Sequence, residues 1–128
     1  MKFRGKAAML GLALVFALAM PSLAADKGFL WDGSHWKDMT GDLKVAYIKG
    51  VGNMADVEVA SGSSGRAACI SKGFVDELKT KTIGQVVQEV DKYYQDNPQK
   101  LTTPVIEVVL LRCTKLCPPE AAATEKKK

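Results

Sequence analysis

Apolar positions in this chain occur first as an unbroken block and then at helical spacing. From Ala7 to Met20 every side chain is apolar or small, and Lys2, Arg4 and Lys6 stand just before the block. After a short segment with Phe29, Leu30 and Trp31, expected to fold back onto the domain, Gly33-Ser34 offers a turn and an N-cap for a helical piece holding His35, Trp36 and Met39. From Thr40 onward Leu43, Tyr47, Val51, Met54 and Ala55 recur at intervals of three and four, while Asp42, Lys44 and Lys49 fall off that stripe. This spacing predicts an amphipathic helix ending near Val59 or Ala60. Gly50 and Gly52 inside it each cost about 1 kcal/mol relative to alanine, which implies close approach of another helix or a bend.

Ser61-Gly62-Ser63-Ser64-Gly65 reads as a flexible connector; it lacks the Gly-Lys-Ser/Thr ending and preceding strand of a phosphate loop. Ala67 to Leu78, with Cys69, Ile70, Phe74, Val75 and Leu78, is expected as irregular structure with one or two helical turns. Thr82-Ile83-Gly84-Gln85 is a T-x-x-Q capping box, so a helix starts there with Ile83, Val86, Val87, Val90 and Tyr93-Tyr94 as its apolar face. Asn97-Pro98 stops it. The last helix is expected to open with Thr103 as N-cap and Pro104 at its first position, to run through the apolar stretch Val105–Leu111, and to end at Pro118-Pro119. The fold this predicts is all-α, a small orthogonal bundle of about four helices.

The first block changes the picture of where this bundle works. A basic start, an apolar core of 14 residues and Pro21-Ser22-Leu23-Ala24 form a secretory signal peptide over residues 1–24, with cleavage expected before Ala25. A membrane anchor needs roughly 20 apolar residues, so no span is expected once the signal is cut. The helical domain then occupies residues 25–119, and 120–128 is a polar, alanine-rich tail expected to be disordered. Lys2, Arg4 and Lys6 leave with the signal while all 14 acidic residues stay, so the formal charge falls from +4 to +1; without Lys126, Lys127 and Lys128 the body carries −2. No basic stripe with interleaved aromatics remains, which argues against nucleic acid as a partner. A periplasmic or secreted location follows, the periplasm first.

Export also sets the redox context for Cys69, Cys113 and Cys117, favouring one disulfide and one leftover thiol. Cys113 and Cys117, four apart on the expected helix, would hold their Cβ atoms roughly 5 to 6 Å apart, more than a disulfide tolerates. Pairing Cys69 with Cys117 closes about 49 residues, worth about 4 kcal/mol in the chain-entropy model. Cys69 with Cys113 is the alternative, since both helical cysteines share a face, and the third cysteine is expected as a buried inert thiol.

Catalytic candidates are few. His35 is the only histidine, so any Ser-His-Asp or Cys-His arrangement would have to use it; Ser34 is adjacent in sequence, which is not how a triad is assembled. Glu89 and Asp91 read as a solvated face. Three cysteines and a histidine match a Cys3His zinc set by number, but a helical Cys-x-x-x-Cys is not the spacing of a metal knuckle, and no C-x-x-C redox or C-x-x-C-H haem motif occurs. The expectation is a non-enzymatic protein with no catalytic residues, no cofactor and no metal.

Trp36-x-x-Met39 followed by Lys44-x-x-Tyr47-Ile48-x-Gly50, together with Thr82-Ile83-Gly84-Gln85 leading to Tyr93-Tyr94 and Asn97-Pro98, resembles a group of small exported helical proteins. These include the immunity proteins that bacteria keep in the periplasm against cell-wall amidase toxins of type VI secretion, and the ending at Cys117-Pro118 is similar too. The resemblance covers roughly Gly33 to Pro119. It implies an all-α fold related to that of the acid-stress chaperones, no catalysis, and in some members dimerisation and plugging of a toxin active site. Members often carry a cysteine in the first long helix; here Thr40 to Ala60 has none, so their disulfide scheme does not carry over whole. The expected role is protein–protein interaction, with immunity-type inhibition of a secreted toxin as its sharpest form and an acid-stress or envelope chaperone as the alternative.

Overall fold

The computed structural model describes residues 29–119; the signal peptide, its cleavage site and the tail from Glu120 lie outside the described residues. Three long helices carry the fold: α2 (Gly41–Ala60), α3 (Gly65–Leu78) and α4 (Ile83–Asp96). Short helices stand at both ends, α1 (Gly33–Asp38) before them and α5 (Val105–Val109) and α6 (Leu111–Leu116) after them, with a 3-10 turn at Pro98–Lys100. No strand forms among the described residues, and an isolated antiparallel bridge joins Asp32 to Pro104. The chain is all-α.

Two helix starts lie where the sequence puts them, and at Thr82 by the cap chemistry read there. The Thr40 hydroxyl accepts from the Leu43 amide, and the Thr82–Gln85 box closes in both directions, Gln85 N–H to Thr82 Oγ1 at 3.1 Å and Thr82 N–H to Gln85 Oε1 at 2.8 Å. The start of α1 is corrected by two positions: Asp32, not Ser34, is the N-cap, and Met39 lies past the helix end with extended backbone. Both residues are competent caps, and the choice falls to Asp32 because its neighbours are already fixed by the bonds Val105 N–H to Trp31 C=O (2.7 Å) and Gly33 N–H to Leu101 C=O (2.8 Å).

The segment Ala67 to Leu78 is a correction as well, being helical throughout. Gly65, Ser71 and Gly73 lower its intrinsic propensity, but Phe74 is fully buried and the helix packs along α2, so tertiary burial decides. Gly73 faces α6 instead: a Cβ placed on it would stand 3.4 Å from the Cys113 Cβ, so α3 and α6 are in contact there.

The terminal helix is broken in two. Pro104 occupies the N-cap position rather than the first helical one, because Val105 N–H is taken by Trp31 and the Thr103 carbonyl accepts from the Tyr94 hydroxyl at 2.7 Å. At Leu110 the backbone leaves helical values (φ −95°, ψ 5°), directly after the β-branched run Val105, Ile106, Val108 and Val109, which loses χ1 freedom in a helix. Val105, Val109 and Cys113 nonetheless line up on the core, where Trp36, Ile48, Phe74 and Val90 complete the fully buried set.

Cys69 and Cys117 form the disulfide, with Cα atoms 5.9 Å apart, and tie α3 to the end of α6. Cys117 reaches across because it has left the helix, as its extended backbone (φ −96°, ψ 120°) shows. Cys113 remains a free, buried cysteine.

Candidate functional site: an apolar groove beside the second helix

Among the described residues the His35 side chain is held by the cap of α1. Its Nδ1 lies 2.8 Å from Asp32 Oδ1 and 3.3 Å from the Asp32 backbone nitrogen. One ring nitrogen serves both contacts, so it donates to the carboxylate in one tautomer and accepts from the amide in the other. Ser34 contributes its backbone N–H to Asp32 Oδ1, which makes Asp32, Ser34 and His35 a helix cap rather than a catalytic arrangement. Partial burial works to raise the Asp32 pKa, but the His35 side chain and the Ser34 and His35 amides outweigh it and hold the carboxyl below its ordinary value. Its stabilising contribution is therefore complete above the unfolded value near 4 and disappears as pH falls through the lower folded value. Asp32→Ala is expected to cost about 1 kcal/mol at pH 7, whereas Asp32→Asn keeps most of the cap and flattens that acid dependence in urea titrations run from pH 6 down to 2.5.

Asp91 does not lie on a plain solvated face. It accepts from Trp36 Nε1 and from Lys44 Nζ, both at 2.8 Å, and the Lys44 ammonium sits 5.3 Å from the centre of the Trp36 ring. Lys44 is itself largely covered, a correction to its placement off the packed stripe. These groups border a hollow of about 450 Å³ between α1, α2 and α4. Its principal polar groups are already bonded to one another, so it joins three helices. Glu89, two residues before Asp91, pairs with Lys81.

Two of the three cysteines are used in the disulfide. Among the described residues no group of three His, Cys, Asp or Glu side chains converges to hold a metal ion. Burial, with the Glu77 charge beside it, pushes the Cys113 thiol up to about 11, and its Sγ donates to Glu77 Oε2 at 3.6 Å. Thiolate is the reactive form, so native Cys113 should be alkylated about a hundredfold more slowly than an exposed thiol at pH 8. Mass spectrometry after iodoacetamide treatment, with and without denaturant, checks this.

The groove beside α2 is mostly apolar. A groove of about 560 Å³ runs along α2, walled by Tyr47, Gly50, Val51, Met54 and Ala55 and closed by Ile106 and Leu110. The lone charge at its edge is Glu58, whose Oε2 accepts from Ser71 Oγ at 2.5 Å. Tyr47 links the groove to both the core and the surface: its ring meets Trp36 edge-on at 6.0 Å and stacks on the half-exposed Trp31 at 5.8 Å. Burial raises the Tyr47 pKa, keeping the phenol neutral. Such a surface can take up apolar side chains, with the Glu58–Ser71 pair as its polar edge.

The expected stripe on α2 is thus two stripes. Ile48, Gly52 and Ala55 are buried, and a Cβ on Gly52 would stand 3.0 Å from Leu78, so the close approach expected of this glycine pair occurs there. Leu43 (53% exposed), Met54 (69%) and Val57 (62%) face outward instead, and Gly50 meets nothing within 4 Å. The sequence signal for the second stripe was its own heptad-like spacing, hidden because α2 has apolar residues on most sides. Comparison with family models, with curated proteins and with solved structures finds no match.

Proposed function

We propose that this chain is a small periplasmic protein that works by binding another protein through the outer face of α2 and its groove, in the manner of an immunity protein that blocks a cell-wall amidase toxin. The observation that carries this reading is the concentration of large exposed apolar side chains on one rigid 20-residue helix beside an apolar groove. Exposed apolar patches of this kind mark interaction sites. The pattern of residues 1–24 and the Cys69–Cys117 disulfide support an extracytoplasmic setting. Immobilised oxidised protein without its signal is expected to retain an amidase toxin from bacterial envelope extract. Repeated failure of the folded, disulfide-bonded domain to retain any amidase sinks the immunity reading.

An acid-stress chaperone is the second reading, favoured by side chains that keep their native partners in acid. Bonds from Lys72 and Lys79 hold the Asp76 carboxyl at about 2, and the Asp32 cap is lowered as well. This reading calls for suppression of client aggregation that appears at low pH; equal behaviour from pH 7 to pH 2 counts against it.

A further inference from the structure

We infer that the groove beside α2 is a binding site for a free single-chain amphiphile with a cationic head, an alkylammonium, whose head pairs with Glu58 and whose chain runs toward Tyr47. The ligand is a small molecule, so the inference goes beyond the protein partner proposed for the same face and does not depend on it.

Charge names the head group. Glu58 is the only charged side chain lining the groove, and the Ser71 hydroxyl occupies its Oε2 alone. Asp76, Glu77 and Asp91, the other partly covered carboxylates on the three long helices, each pair with lysine or arginine. Glu58 has a hydroxyl in place of a cation, and no side chain among the described residues bonds its Oε1. Lys72, the neighbour of Ser71 in the chain, is bonded to Asp76. Lys49 and Asp56 project from the side of α2 opposite the groove, so neither competes at this site. An ammonium ion carries three donors and the missing charge, and its hydrogen bond to a carboxylate is of the stronger, charge-assisted kind.

The rest of the groove names the tail. Tyr47 and Glu58 stand about three turns apart on α2, so the groove is about 16 Å long. A ten-carbon amine extends about 13 Å. A hollow of about 560 Å³ falls within the range that holds one small ligand. Gly50 leaves its middle open, a Cβ there meeting nothing within 4 Å, while Ile106 and Leu110 wall the other side. Met54 is 69% exposed, and its flexible thioether can fold over a chain lying on Gly50. Between Glu58 and Tyr47 every lining position on α2 is apolar or glycine, which gives the ligand one polar end and fixes its direction. A groove open along one side leaves part of the chain in water, so a dissociation constant of about 10–100 μM is expected for a ten-carbon amine.

Titrating the oxidised, signal-free protein with monomeric decylammonium, decanol and decanoate at pH 7.5, followed by amide NMR shifts, tests this. Saturable shifts centred on Tyr47, Gly50, Met54 and Ser71 are expected, with decylammonium binding about fivefold more tightly than decanol and at least tenfold more tightly than decanoate. Glu58→Gln keeps an acceptor for Ser71 and should bring decylammonium to the affinity of decanol; Glu58→Lys should make decanoate the preferred ligand. Gly50→Leu favours the helix and has room for its side chain, so it should fold and weaken all three ligands about tenfold by filling the groove. No saturation below about 1 mM, equal affinity for the three heads, a preference for the amine that survives Glu58→Gln, or indifference to Gly50→Leu overturns the inference. Retention of an amidase by a protein that takes up no decylammonium refutes the ligand site alone. Saturable uptake by a protein that retains no amidase refutes the immunity reading alone.

Discussion

Replacing Cys69 and Cys117 together with alanine is expected to lower stability by about 4 kcal/mol and the melting temperature by about 20 °C. The bridge closes a 48-residue separation, and the segment it anchors is poorly held otherwise. Leu116 is 80% exposed, α6 has six residues and no side-chain cap, and α5 and α6 are already parted at Leu110. Without the crosslink, the packing of Cys113 against Gly73 and the contacts of Cys113 and Arg112 with Glu77 still hold α6 on α3. A domain of this size has one modest core, so 4 kcal/mol is a large share of its total stability. Calorimetry of the double variant beside the oxidised parent measures the difference; a drop of less than about 5 °C would mean that packing alone fixes α6.

Trp36→Ala is the second large effect, expected at about 4 kcal/mol. The indole is 1% exposed and fills the junction of α1, α2 and α4, so its removal leaves a cavity lined by Tyr47 and the Lys44 stem. It also takes one of two donors from Asp91, leaving the Lys44–Asp91 pair to hold α2 and α4 without the ring beneath it. Trp36→Phe separates the two contributions, since it keeps most of the ring volume and loses the N–H. Urea unfolding should give about 1–2 kcal/mol for Trp36→Phe. If phenylalanine costs as much as alanine, the hydrogen bond to Asp91 rather than the packing dominates at this site.

What could be read from the residues follows a physical divide. The starts of α2 and α4 were legible because a cap is decided within four residues, Thr40 to Leu43 and Thr82 to Gln85. The Cys69–Cys117 bridge was favoured by arithmetic on loop closure, although the reason it forms, the departure of Cys117 from the helix, is a tertiary one. By contrast α3 was not legible, because its glycines and serine argue locally against a helix that burial of Phe74 enforces. The cap at Asp32 and the place of Pro104 at the N-cap of α5 both depend on the pairing of residues 31–33 with 101–105, some 70 positions apart, which no local pattern encodes. Asp91 looked solvated for the same reason: its partners Trp36 and Lys44 come from other helices. On α2 the spacing rule found the apolar residues and could not say which of two stripes turns inward.

That second, outward stripe is where the functional argument stands. A cap built from Asp32, Ser34 and His35 and a thiol held protonated beside Glu77 account structurally for the sequence's reactive residues. The apolar face of α2 has no such account within the monomer. The most direct test is to titrate cell-wall amidase toxins with the oxidised protein and with its Met54→Glu variant while following peptidoglycan hydrolysis. The account predicts that the unaltered protein abolishes the activity of one amidase at a one-to-one ratio and that the variant, equally helical, leaves it running. Undiminished hydrolysis by every amidase at several-fold excess of the unaltered protein, or equal inhibition by both proteins, would contradict it.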